Sequence, residues 1–171
     1  MRIDAHSPLI FLRTQEGAAL LAHLAQVGPE ECARPAFIQS LRRDHSIEVV
    51  TLALRLTEAR RKAPAKFPRG DELYFTPELL EQASSHPPAM HRARRLAPLG
   101  RVLDLGCGGG GDLSRLAQAG GKALGMERDA LALAMAQANL ETLNLEAELS
   151  LGAFPEDEPP FHDVLFTDPA R

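Results

Sequence analysis

Through the first hundred residues, apolar side chains return every three or four positions, which is the spacing of one face of a helix. From Gln15 to Val27 the pattern runs Ala18, Leu21, Leu24, Ala25 and stops at Gly28-Pro29. A second helix is expected from Ala36 to Arg43. The longest starts after Ser46, a residue suited to an N-cap, and carries Ile47, Val50, Leu54 and Leu56 as its stripe before fading through EARRKAPAKF. In FTPELLEQA, Thr76 is placed as a cap and Pro77 falls at the first helical position, where a missing N–H does no harm. A last helix covers Pro88 to Leu96, and Pro98-Leu99-Gly100 forms the joint.

After Gly100 the rhythm changes. RVLDL is a short apolar run of the kind a buried parallel strand needs, GCGGGGD is a turn, and LSRLAQAG is a helix closed by Gly120-Gly121. KALGME, AELSLG and the VLFT of HDVLFTDPAR repeat the strand pattern, with a helix from Asp129 to Leu143 between the first two of these and the acidic loop AFPEDEPPF before the third. Strands alternating with helices through short turns predict a right-handed, parallel, doubly wound sheet. The fold class is therefore α/β: a helical N-terminal domain over residues 1–99, then the first half of a Rossmann-like sheet over residues 100–171.

Composition narrows the setting. Apolar residues make up 44% and charged residues 25% of the 171, as in a folded globular chain. No apolar run approaches the ~18–20 residues that cross a bilayer, and the N-terminus lacks the form of a secretory signal, so a cytoplasmic protein without membrane contact is expected. The two cysteines, Cys32 and Cys107, lie far apart without a metal-ligand spacing, so neither a disulfide nor a metal site is expected, and Cys107 reads as a small loop residue rather than a nucleophile. Charge is divided unevenly: 14 Lys and Arg against 11 Asp and Glu before Arg101, and 5 against 12 from there on. The basic excess is slight and does not by itself mark a nucleic-acid surface.

The chemistry concentrates in the first strand-to-helix turn. Five of the six positions from Gly106 to Gly111 are glycine, in GxGxxG spacing, and Glu127 follows at the end of the second strand, where a carboxylate can accept both hydroxyls of a ribose. A dinucleotide fits that description, and so does S-adenosylmethionine. Asp104 separates them. A pyrophosphate on the turn would face this carboxylate at a cost of about several kcal/mol for an effective dielectric near 20, whereas a sulfonium and an ammonium would be attracted. The loop amides and helix N-terminus remain free to receive the donor's own carboxylate.

With these residues in order, VLDLGCGGGG resembles the first motif of class I S-adenosylmethionine-dependent methyltransferases. Asp104 to Asp112 with the upstream FTPE of Phe75 to Glu78 is similar, more narrowly, to the trimethylguanosine synthase-like branch and to bacterial relatives with a DPAR turn and a downstream THUMP-like domain. The resemblance implies that Asp104, Gly106, Cys107, Gly108 and Glu127 hold the cofactor, that Asp112 lies near its amino-acid end, and that Thr76 or Phe75 closes over it. Ala153 stands where the family often has an acid that reads adenine. Asp168 and Pro169 occupy the catalytic motif, with Ala170 and Arg171 in place of its usual proline and aromatic residue. Asp168 would accept a hydrogen bond from an attacking amine, so the implied reaction is methyl transfer to a nucleobase nitrogen, with RNA as the partner.

Seven strands are expected of the resembled sheet and four are present, so the sequence reads as the N-terminal portion of a longer protein, inactive alone and open to self-association through an exposed fourth-strand edge. Arg60, Arg61, Lys62, Lys66 and Arg69, with His91, Arg92, Arg94 and Arg95, are candidates for a phosphate-binding face, or equally for helix ends that complement the macrodipole. The rival functions are an NAD(P)-dependent oxidoreductase and a non-catalytic module that binds cofactor or nucleic acid.

Overall fold

The computed structural model describes residues 8–168. Helices α1 (Pro8–Leu12), α2 (Gln15–Gln26), α3 (Pro29–Cys32), α4 (Pro35–Leu41) and α5 (Ile47–Lys62) come first, followed by α6 (Pro77–Gln82) and α7 (His86–Leu96). Strand β1 (Arg101–Leu105) then leads into α8 (Gly111–Gln118), β2 (Lys122–Glu127), α9 (Ala130–Leu143), β3 (Glu148–Leu151) and β4 (Val164–Thr167). The α/β class is the expected one, and the order of its elements follows the predicted rhythm.

The Ser46 hydroxyl caps α5 by accepting from the Val49 N–H, and Thr76 caps α6 by accepting from Leu79. Both were legible as caps. Two helical details differ from expectation. The buried face of α2 is Gly17, Leu20, Leu21 and Leu24, leaving Ala18 and Ala25 exposed, and in α5 Val50, Ala53, Leu56 and Ala59 turn inward while Ile47 stays half-exposed. Alanines score as apolar in a periodic count yet bury little surface, so the leucines decide which side faces in. Helix α1 is too short to show a period, but Leu9 and Leu12 are buried against α2 and α5. Their approach depends on Gly17, where a Cβ would stand 2.2 Å from the Phe11 carbonyl oxygen and 2.4 Å from the Leu12 Cα.

The four strands are all parallel, in the order β3-β2-β1-β4. On one face Val102, Ala123, Val164 and Phe166 pack with Leu113 and Leu116 of α8 and Leu133 and Leu140 of α9. On the other, Leu103, Leu124 and Met126 form a second buried cluster with Leu105 against it; Gly152 of the connection to β4 lies against Met126, and the Phe161 carbonyl accepts from Arg101 Nε at 3.0 Å. Helix α9 is apolar nearly all round because it has two partners. Leu133 and Leu140 meet the sheet cluster, while Ala134 and Met135 join the core made by α1, α2 and α5. No described helix is long and apolar enough to cross a membrane.

Gly17→Ala is expected to lower stability by about 1–3 kcal/mol, because the added methyl meets backbone that only a shift of α1 can relieve. Exposed Ala18→Ser should stay within about 0.5 kcal/mol of the parent, both read by chemical denaturation.

Candidate active site

At the carboxyl ends of β1, β2 and β4 the chain opens into a crevice of about 1200 Å³. Its floor is the turn from β1 to α8. Gly106, Gly108 and Gly110 take φ of 80°, 52° and 79°, the left-handed region closed to most side chains. The Gly106 and Cys107 N–H groups both donate to the Met126 carbonyl oxygen, at 2.8 and 3.2 Å, so the turn is fastened to the neighbouring strand. Glu127 fastens it again: one carboxylate oxygen accepts from the Gly108 N–H and the other from the Asp129 N–H, each at 2.9 Å.

A third fastening comes from outside the sheet. The buried Asn139 side chain on α9 donates to the carbonyls of Tyr74 and Gly109, both at 2.9 Å, and accepts from the Tyr74 N–H at 2.6 Å. One amide thereby ties the glycine turn to the segment carrying Phe75 and Thr76. Phe75 is buried, stacked on Phe67 with ring centroids 5.1 Å apart, and so close to Gly109 that a Cβ there would lie 2.6 Å from its ring. Phe75 therefore packs against the turn, and both Phe75 and the buried Thr76 line the crevice, the Thr76 hydroxyl being engaged as the α6 cap. Asn139 was not foreseen. A lone asparagine in an Ala- and Leu-rich helix gives no pattern, and the only available signal was that a polar residue sits where the periodicity demands burial.

The charges are arranged differently from the expectation of a standing anion. Asp104 is buried, and loss of water, with Asp112 close by, pushes its carboxyl up to about 8 against the pull of Arg92. Alone, it keeps its proton at neutral pH. Burial, and then Asp104, also raise the Cys107 thiol, which removes it from nucleophilic chemistry. Asp112 does not stand free in the first turn of α8: Arg92 Nη2 and Nε donate to one of its oxygens at 2.6 and 3.2 Å. Asp168 follows β4, lines the same crevice, and is largely exposed at 4.0 Å from Arg92. Pro169 lies outside the described residues.

The candidate phosphate face is mostly engaged elsewhere. Arg60 donates to the Leu73 and Glu72 carbonyls, Arg61 to those of Leu24 and Val27 at the end of α2, and Lys66 to Leu80, Glu81 and Ala83 at the end of α6. Lys62 pairs with Glu58 and Arg69 with Glu72. These cations satisfy helix ends and local acids, the second of the two uses expected of them. His91, Arg94 and Arg95 remain exposed on α7. Among the described residues no group of three or more His, Cys, Asp or Glu is placed to hold a metal ion.

Residues 102–167 match the family described as a methyltransferase domain, and residues 7–63 match a domain of unknown function (DUF8688). Two uncharacterized S-adenosylmethionine-dependent methyltransferases of Mycobacterium tuberculosis, from strains CDC 1551 and H37Rv, are each 47% identical over 76 residues, which is 44% of this chain and 21% of theirs. The chain thus spans about a fifth of the length of these relatives. Among solved structures, a putative RNA methyltransferase of Pyrococcus horikoshii aligns with a TM-score of 0.47 at 20% identity, over 68% of this chain and 60% of that one. A tRNA (uracil-54, C5)-methyltransferase of Pyrococcus abyssi with S-adenosyl-L-homocysteine aligns with 0.43 at 26%, over 51% and 23%.

The buried carboxyl carries a pH signature. Between the ordinary 3.8 and about 8 the folded chain holds a proton on Asp104 that the unfolded chain has released, so raising the pH through that window lowers stability. Asp104→Asn is neutral throughout and should lack that component. Denaturation of both proteins across the window is expected to show the parent falling relative to the variant, whereas parallel curves would mean that Asp104 ionises as an ordinary aspartate.

Proposed function

We propose that this chain, whose residues 102–167 match the methyltransferase-domain family, binds S-adenosylmethionine over the glycine turn and serves methyl transfer to a nucleobase nitrogen of RNA. The observation that carries the donor assignment is the buried Asp104 carboxyl beside a glycine-rich turn on one crevice: neutral when nothing is bound, and able to ionise against an arriving cation. A diphosphate would offer it no such partner. When bound, S-adenosylmethionine supplies an electrophilic methyl group on a positively charged sulfur.

The chain's own residues then have distinct parts. Glu127 spends one hydrogen bond per oxygen on Gly108 and Asp129, and each oxygen keeps a lone pair for a ribose hydroxyl. Gly106, Cys107 and Gly108 form the backbone cradle, with the N-terminus of α8 and Asp112 at the donor's amino-acid end. Phe75 sets the height of the turn and Thr76 the rim. Ala153 offers no acceptor for an adenine amino group, which leaves the apolar Leu131 and Phe154 of the crevice and nearby backbone to receive the ring. Asp168, exposed at the end of β4, accepts a hydrogen bond from the acceptor amine and turns the amine's lone pair toward the methyl; the resemblance gives Pro169 the next place in the same catalytic motif. That contribution is one of positioning.

RNA as acceptor is supported by the resemblance of Asp104–Asp112 and Phe75–Glu78 to the trimethylguanosine synthase-like branch, and by the exposed cations Arg94 and Arg95 on α7, the helix whose Arg92 reaches Asp112. The division into a helical unit, residues 1–99, and a cofactor unit, residues 100–171, rests on the change of secondary structure at Gly100.

Calorimetric titration with S-adenosylhomocysteine and, separately, NAD is expected to give binding for the first alone. Asp168→Ala should keep donor affinity within about twofold while the full-length protein loses labelled-methyl transfer to RNA by about 10²-fold or more. Binding of NAD in preference to S-adenosylhomocysteine would overturn the donor assignment, and undiminished transfer by Asp168→Ala would overturn the part given to Asp168.

A further inference from the structure

Arg92 belongs to α7, outside the sheet, and the sequence places it among candidate phosphate ligands. Its surroundings point elsewhere. Nη2 and Nε reach one oxygen of Asp112, Nη2 also donates to the Ser84 hydroxyl and stands 4.0 Å from Asp168, and the guanidinium carbon lies 5.5 Å from the Phe166 ring centroid. Three elements meet on this one side chain: the first turn of α8, the end of α6 and the end of β4. Two of the neighbouring groups, Asp112 and Asp168, line the crevice together with Asp104.

We propose that Arg92 is a positioning residue of this site, holding the donor turn, through Asp112, at a fixed distance from the strand end that presents Asp168. The inference rests on the donor and acceptor assignments above. Its physical basis is the accumulation of acids that line one crevice: Asp112 on α8, Asp168 after β4 and Glu127 on β2 all act on Asp104 of β1, and Arg92 is the cation that acts on Asp104 against them. Without it, Asp112 and Asp168 lose their shared cation, and the first turn of α8, held to β2 and α9 through the glycine turn before it, loses its side-chain tie to the end of β4. A planar guanidinium can bridge two carboxylates and lie against an aromatic face together, which an ammonium cannot. The side chain is about one-third exposed and held at each end, so it is a strut of the crevice and not a solvated phosphate ligand.

The test uses the full chain and three proteins: parent, Arg92→Gln and Arg92→Lys. S-adenosylhomocysteine affinity is read by calorimetry, and the Asp104 carboxyl midpoint by carbon-detected NMR titration. Arg92→Gln is expected to bind about tenfold more weakly and to move the Asp104 midpoint further up, since the opposing cation is gone. Arg92→Lys should restore most of that midpoint, because it restores charge, but not the affinity, because it lacks the fork. A merely packing role would leave the midpoint in place. Arg92→Gln with parental affinity, or with an unmoved midpoint, would overturn the proposal. Should Arg92→Gln fail to fold, Arg92→Lys decides alone: parental affinity in Lys would overturn the strut, and loss of affinity with a kept midpoint supports it. A parent that does not bind S-adenosylhomocysteine, yet shows the midpoint shift in Arg92→Gln, would sink the donor assignment and leave the hold of Arg92 on the acids standing.

Discussion

Burying the Asp104 carboxyl at the end of β1 is costly for its charged form, and the surroundings are arranged around that cost. The side chain lies opposite Gly125 on β2 and Phe166 on β4, so it has sheet on both sides and the glycine turn above it. With Asp112, Glu127 and Asp168 near, its proton stays on up to about pH 8. A cation entering the crevice changes that balance at once. Under the proposed function, this neutral centre is what ionises against a positively charged guest.

That response requires a turn that does not collapse onto the carboxyl, and the helices supply the restraint. Asn139 on α9 and Phe75 before α6 hold Gly109 from one side, and Glu127 holds Gly108 from the other. Because α9 is packed between the sheet and the core of α1, α2 and α5, the N-terminal helices bear on the crevice through it, while Arg55 of α5 and Glu78 and Leu79 of α6 line the crevice directly. The layer that Gly17 lets α1 approach is also the one Met135 packs into, one helical turn before Asn139 on α9. Local order at the site is accordingly a product of long-range packing.

Much of this was written in the sequence. The alternation of strands and helices after Gly100, the caps Ser46 and Thr76, and the turn between Asp104 and Asp112 all announce themselves through short-range chemistry. What escaped was decided by partners remote along the chain. The inward side of α2 follows from where α1 crosses it, which no period within α2 encodes. Asn139 binds Tyr74, 65 residues away, and nothing near Asn139 specifies that. Arg60, Arg61 and Lys66 look alike as basic residues until the carbonyls they satisfy are seen. Asp104 was recognisable as important, but its protonation depends on burial, which residue order does not reveal.

The central claim is that the carboxyl at the end of β1 ionises when a positively charged methyl donor binds. Calorimetry of S-adenosylmethionine binding near neutral pH, repeated in buffers of different ionisation enthalpy, counts the protons exchanged. The account predicts release of a substantial fraction of one proton, disappearing in Asp104→Asn. Binding with no proton exchanged, or with the same release in the variant, would contradict it.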